Sequence, residues 1–449
     1  MEIDETQLAA EYAEKWDIQT VFEDALTNLL ISHPDDPMSF LHNQIAEHSA
    51  PPTISKVVGR EVLNGIGNPT LEVEIWGQVF GKTKLLGSAQ APSCDFCDPS
   101  DAFVVNDINS NRYNGLGAQT AIAIISKNLQ PKLEKRPIYD QQMIDSVIES
   151  SDGTPNFHKI GVNTSIAISS AIAISSSQLL KVPLFNHLTN TLTHKYPIFV
   201  PTPIFTFFEI SDSPISKVFL IPNPNKTIEE QIRIICEINL HYSKTSHSVN
   251  TNNGTYLIES PTAEDTISFV ESVVSASGHS LGDDLTIGFR GSNTSNTKFW
   301  IDLLGKQTQI ISYIEDPIPF DDIDGWKQIF DVVDNETVSL VMKSGIFSRV
   351  ERIESDLIGN SIVITPIEAA TITKVTKVAQ QIEKCNKKIV LATSEVETPD
   401  TWICDLAVAV GASMIQIGSI LKGENIEKVN RLLEIGKEII EMEHKQNIT

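Results

Sequence analysis

The sequence predicts an α/β fold, a large barrel with a smaller N-terminal α+β domain, preceded by a short helical hairpin. Three observations carry this. The 449 residues exceed one ordinary core and suit a barrel plus a companion domain. Short β-branched runs alternate with amphipathic helical segments through the second half, as parallel βα units do. Breaker residues set the first fifty positions apart. A composition of 41% hydrophobic and 20% charged residues is that of an ordered chain.

The first element runs from Leu8 to Leu30, where Tyr12, Trp16, Phe22, Leu26, Leu29 and Leu30 recur at helical spacing, with a break around Asp17. Ser32-His33-Pro34-Asp35-Asp36-Pro37 stops it, and a second helix follows with Phe40, Leu41 and Ile45 inward. A hairpin of this size cannot bury both apolar stripes alone. The pattern resembles the dimerisation/docking domain of protein kinase A type II regulatory subunits. That resemblance implies a dimeric hairpin whose Phe22, Leu26, Leu29, Leu30, Phe40 and Leu41 receive an amphipathic helix from a ciliary or axonemal scaffold. The alternative is a helical extension packed on its own barrel.

After the linker Ala50-Pro51-Pro52, Ile54 to Leu63 and Gly67 to Ile75 read as two alternating strands about a Gly/Asn/Pro turn. Barrel strands are expected at Val218–Ile221, Leu285–Ile287, Ile310–Ile314, Val338–Val341, Ile362–Ile364, Ile389–Leu391 and Met414–Ile417.

Several motifs occur in one order. They are Gly67-Asn68-Pro69-Thr70, Tyr113-Asn114-Gly115-Leu116-Gly117, Ser151-Asp152-Gly153-Thr154, Ile160-Gly161-Val162-Asn163-Thr164-Ser165, Val182-Pro183-Leu184-Phe185, Tyr313-Ile314-Glu315-Asp316-Pro317, Asp405-Leu406-Ala407 and Asn430-Arg431-Leu432. Together they resemble the enolase family. The resemblance implies an enolase-type (βα)8 barrel over 198–440 and an N-terminal α+β domain over 54–190, with the hairpin at 1–49. It also implies dimerisation. A divergent sperm-tail branch of the family shares Pro51-Pro52-Thr53-Ile54, the altered Ser394-Glu395 segment and Gly423-Glu424. Cytoplasm, with a cilium or flagellum axoneme, is the expected location.

Enolases abstract a proton beside a carboxylate, with magnesium on three carboxylates and a lysine as base. Carried over position by position, the first metal ligand falls on Arg290, the second on Glu315 and the third on Lys343 or Ser344. The base falls on Thr365 and a second active-site lysine on Gln416, while Thr393, Ser394 and Glu395 replace a His/Arg phosphate segment. Lys217 stands where an acid is expected. The mobile lid aligns loosely with Ser88 to Ser93, and a further catalytic loop with Asn252-Asn253-Gly254.

These replacements predict a pseudo-enolase with no intact catalytic or metal residue and no cofactor. Magnesium would be needed only if the alternative held, an active phosphopyruvate hydratase with ligands drawn from Asp316 or Glu368. A third option keeps the pocket as an anion sensor.

The formal charge of −24 disfavours nucleic acid and anionic membranes as partners. An acidic N-terminus and the lack of an apolar run near ~20 residues predict a soluble intracellular chain. The five scattered cysteines read as reduced thiols, with Cys94-x-x-Cys97 a weak metal signal. Gly81-Lys82-Thr83 is no phosphate loop, since the glycine it requires is Trp76. His187 and His194 are expected to be structural.

Overall fold

A computed structural model describes residues 5–93, 102–108, 110–191, 197–246, 250–260, 262–292, 294–306, 309–343 and 358–446. Cys94, Cys97, His194 and Ser344 lie outside them.

The N-terminal segment forms three helices, α1 (Glu5–Lys15), α2 (Ile18–Ser32) and α3 (Pro37–Glu47). Asp17 takes a left-handed conformation at φ 47° and splits the first stripe in two. Asp36 caps α3 by accepting from the backbone N–H groups of Met38 and Ser39, and Pro37 fills the first helical position. Ala25 is the only fully buried residue among the described residues of these helices. Phe22, Leu26 and Leu30 are exposed, whereas Leu29, Phe40 and Leu41 are half-buried. His42 meets Phe80 edge-on at 5.8 Å, touching the domain that follows.

That domain opens with an antiparallel meander of β1 (Thr53–Leu63), β2 (Pro69–Val79) and β3 (Lys82–Gln90). Ser88 to Gln90 therefore belong to a strand, which corrects their alignment with a mobile lid. Against the sheet packs the buried α5 (Val162–Leu180), with α4 (Gln141–Asp152) packed on α5 and α6 (Leu184–Thr191) after it. The motif residues here are structural. Asp152 accepts from the N–H groups of Thr154, Lys159 and Ile160. Asn163 closes a two-way bond with the Val105 backbone.

The barrel strands are β4 (Thr202–Ile210), β5 (Ile215–Pro222), β7 (Leu285–Gly291), β8 (Ile311–Glu315), β9 (Ser339–Met342), β10 (Ser361–Ile364), β11 (Lys388–Ala392) and β12 (Met414–Gly418). A short β6 (Tyr256–Ile258) lies outside on β4, and β12–β4 pairing closes the ring. Strands β4 and β6 went unread in the sequence. A simple repeat of parallel βα units also needs correcting, because β5 runs antiparallel to both β4 and β7. Only four residues separate β4 from β5, too few for the crossover that a parallel pair requires.

Ile204, Phe219, Ile221, Tyr313, Val341, Val363, Val390 and Ala392 fill the barrel interior. Strand periodicity carries that inward set on to the mouth. Lys217 precedes Phe219 by two positions, Glu315 follows Tyr313, and Lys343 follows Val341. Gly288 is bare because a β-carbon there would come within 2.9 Å of Tyr313.

Domain and barrel are joined by two carboxylates, Asp145 buried and Asp400 half-buried. Asp145 on α4 accepts from the backbone N–H (3.0 Å) and hydroxyl (2.6 Å) of Thr373, at the start of a barrel helix. Asp400 of the barrel accepts from the Gln90 N–H of β3. Burial raises both to about 6, against an ordinary 3.8. The folded state thus holds protons that the unfolded chain releases, so the contribution of these groups to stability falls as pH rises from about 4 to 6. Asp400→Asn keeps an acceptor for Gln90 without the charge. Relative to wild type it should gain at most about 3 kcal/mol between pH 4 and pH 7. Denaturant titration across that range checks this, and a constant offset would exclude it.

Candidate functional site

Six strands or the residues directly after them, the loop after β11, the turn before β6 and the start of the last helix (Gly423–Gln446) place polar side chains at the C-terminal end of the barrel, where barrel chemistry sits. They enclose a cavity of ≈ 50 Å³, room for a few water-sized groups. Because β5 is reversed, its early residue Lys217 reaches the same end as the late residues of the parallel strands.

Arg290, Glu315 and Lys343, the three positions carried over as metal ligands, do come together. Glu315 is 1% exposed, with Arg290 at 3.6 Å and Lys343 at 3.9 Å from one carboxylate oxygen. Its other oxygen accepts from the Tyr313 hydroxyl at 2.7 Å and from the Gln416 amide. The same amide nitrogen also lies 2.8 Å from the Tyr313 oxygen, while Lys343 donates to the Gln416 carbonyl at 3.4 Å. Asp316 accepts from the Lys343 backbone N–H at 2.9 Å and lies 4.0 Å from Arg290. Glu395 adds an acid 2.9 Å from Lys217 and 3.6 Å from Arg290.

Burial works against the Glu315 charge, yet Lys343 and Arg290 outweigh it and hold the carboxyl below its ordinary range. Burial also weakens the Arg290 charge, but Glu315, Asp316 and Glu395 more than restore it. Burial lowers Lys343; Glu315 resists the shift, whereas Arg290 and Lys217 add to it. The Tyr313 phenol is pushed well up by burial and by Glu315, so it stays a hydrogen-bond donor.

Thr393 and Ser394 line the cavity, and the Ser394 N–H donates to Glu397 at 2.7 Å. The turn at Asn252 to Gly254 brings Asn253 and Thr255 to the rim. Thr365 does not join them. It follows β10 against the short helix Pro366–Ala369, and its buried hydroxyl has no hydrogen-bond partner among the described residues. His187 is buried in α6, where burial depresses its pKa. Tyr313 was read only as part of the motif that holds Glu315, although it sits two residues before Glu315 on the same inward face. Glu209, also at the cavity, was missed because its strand was.

The magnesium site that the fold family uses does not fit this donor set. Two cations lie within 4 Å of Glu315, and among the described residues no group of three or more His, Cys, Asp or Glu side chains is placed to hold a metal. The arrangement instead satisfies itself by ion pairs and hydrogen bonds.

Residues 54–188 match the family description "Enolase, N-terminal domain", and residues 290–446 match "Enolase, C-terminal TIM barrel domain". A curated protein named Enolase, from Ehrlichia chaffeensis, is 28% identical across 86% of this chain and 96% of its own length. With both domains matched in order on a closed eight-stranded barrel, the chain belongs to the enolase family.

Proposed function

We propose that this chain is a catalytically inactive enolase-like protein, a dimeric structural and docking component of a cytoplasmic assembly, in a cilium or flagellum. One observation carries the loss of chemistry: Arg290 and Lys343 flank Glu315 where the family places carboxylates. Unit charges ~4 Å apart interact by about 4 kcal/mol at an effective dielectric near 20, so each exchange of acid for base turns attraction of Mg²⁺ into repulsion. The docking role is supported by the apolar side chains exposed on α1 to α3. Lys15 is the only lysine or arginine between Glu5 and Glu47, so a partner helix with a basic rim fits that surface.

The test is isothermal titration with Mg²⁺ and 2-phosphoglycerate beside a turnover assay. The expected result is no binding heat for the metal and no phosphoenolpyruvate formed; metal-dependent turnover would overturn the reading. It would favour the second one, an active phosphopyruvate hydratase, which the name of the 28% identical relative favours. That enzyme would need Asp316 or Glu368 as ligands, and Asp316 already accepts from the Lys343 backbone.

A further inference from the structure

Two of the three acids beside Arg290, Glu315 and Glu395, are held very differently. Glu315 is 1% exposed and hydrogen-bonded by Tyr313 and Gln416, so it cannot leave. Glu395 stands in the loop after β11 with its side chain 31% exposed. One of its oxygens serves both Lys217 on β5 and Arg290 on β7, cations fixed on strands outside its own loop. Lys217 has no other ion pair among the described residues. Swinging Glu395 outward would hydrate the carboxylate at once and take from Lys217 its ion pair, while Arg290 keeps Glu315 and Asp316 beside it.

We propose that the barrel mouth is a self-occupied oxyanion site, in which the Glu395 carboxylate sits on Lys217 and Arg290 in place of a small free carboxylate or phosphate that binds by displacing it. The ligand is small because the cavity is, at ≈ 50 Å³. It is an oxyanion because Glu395 leaves behind the Lys217 ammonium, whose one ion pair among the described residues it supplied, next to the Arg290 guanidinium, the Thr393 hydroxyl and the Asn253 amide. Tethering gives Glu395 a high effective concentration, so wild-type affinity is weak and rises when the acid is removed. The inference rests on the metal-free reading of the mouth, because a bound cation would recruit Glu395 as a ligand.

Titration of the full chain with inorganic phosphate and with acetate, in EDTA, tests it. Glu395→Gln should bind at least one of the two at least tenfold more tightly than wild type, and Glu395→Ala should move the same way. Adding Lys217→Met to Glu395→Gln should return the affinity to the wild-type level or below. Equal phosphate and acetate affinities for wild type and both Glu395 variants, with melting temperatures confirming the fold, would overturn the proposal. Repeating the series with Mg²⁺ separates the two ideas. Wild-type phosphate affinity that rises with Mg²⁺ would sink the metal-free reading, while the EDTA series still decides the role of Glu395.

Discussion

Arg431→Ala is expected to destabilise the fold by about 3–5 kcal/mol, the usual cost of removing one partner from a buried ion pair. Arg431 donates to both oxygens of Asp405, at 2.6 and 2.9 Å, and reaches Glu438 at 2.8 Å. Asp405 is 2% exposed and also accepts from the Phe185 N–H, so it ties the barrel to the smaller domain. Burial already raises its pKa against the pull of Arg431. Without the guanidinium it must stay charged and unpaired or take up a proton, so the loss should shrink as pH falls. Chemical denaturation at pH 5 and pH 8 measures this. A loss below about 1 kcal/mol at pH 8, typical of an exposed pair, would show that the contact is not a structural tie.

Under the proposed dimeric docking role, Leu26→Glu with Leu30→Glu is expected to weaken self-association by at least about 100-fold. Each large apolar side chain buried at a contact contributes roughly 1.5–3 kcal/mol, and each 1.4 kcal/mol is a factor of ten. Both residues are exposed, at 48% and 69%, on helices with a single fully buried residue among those described, so the substitutions should leave the barrel's own stability unchanged. Sedimentation across a concentration series, with the melting temperature as control, reads the effect. An unchanged association constant would remove these helices from the contact. The helical extension on its own barrel would then be the better account, with His42 on Phe80 as its anchor.

The fold was largely legible because its signals are local. Seven barrel strands announced themselves as β-branched runs, and motifs such as Asp152 and Asn163 proved to be turn and cap devices whose spacing is set by the backbone they hold. The reversal of β5 was not legible, since antiparallel pairing leaves the same alternation in a single strand. Strand β4 escaped because Thr202 to Ile210 mixes a proline, aromatics and an acid where a clean β-branched run was sought. At the mouth, position-by-position transfer placed Arg290, Glu315 and Lys343 together. Thr365, the position carried over for the base, follows β10 directly and is not among the residues that line the cavity. The transfer could not find the pairing of Glu395 with Lys217, because those residues are 178 positions apart and meet only when the ring closes.

Lys217, Arg290, Glu315, Lys343, Glu395 and Gln416 come from β5, β7, β8, the residue after β9, the loop after β11, and β12. Charge and hydrogen bonds therefore stitch one rim of the barrel crosswise as well as around its circumference. Mechanically this is a braced hoop: a load that pulls one strand outward is passed across the opening to the far side, so the mouth resists being squeezed oval. A working active site must open and close around its substrate, whereas a part that carries strain gains from such a brace.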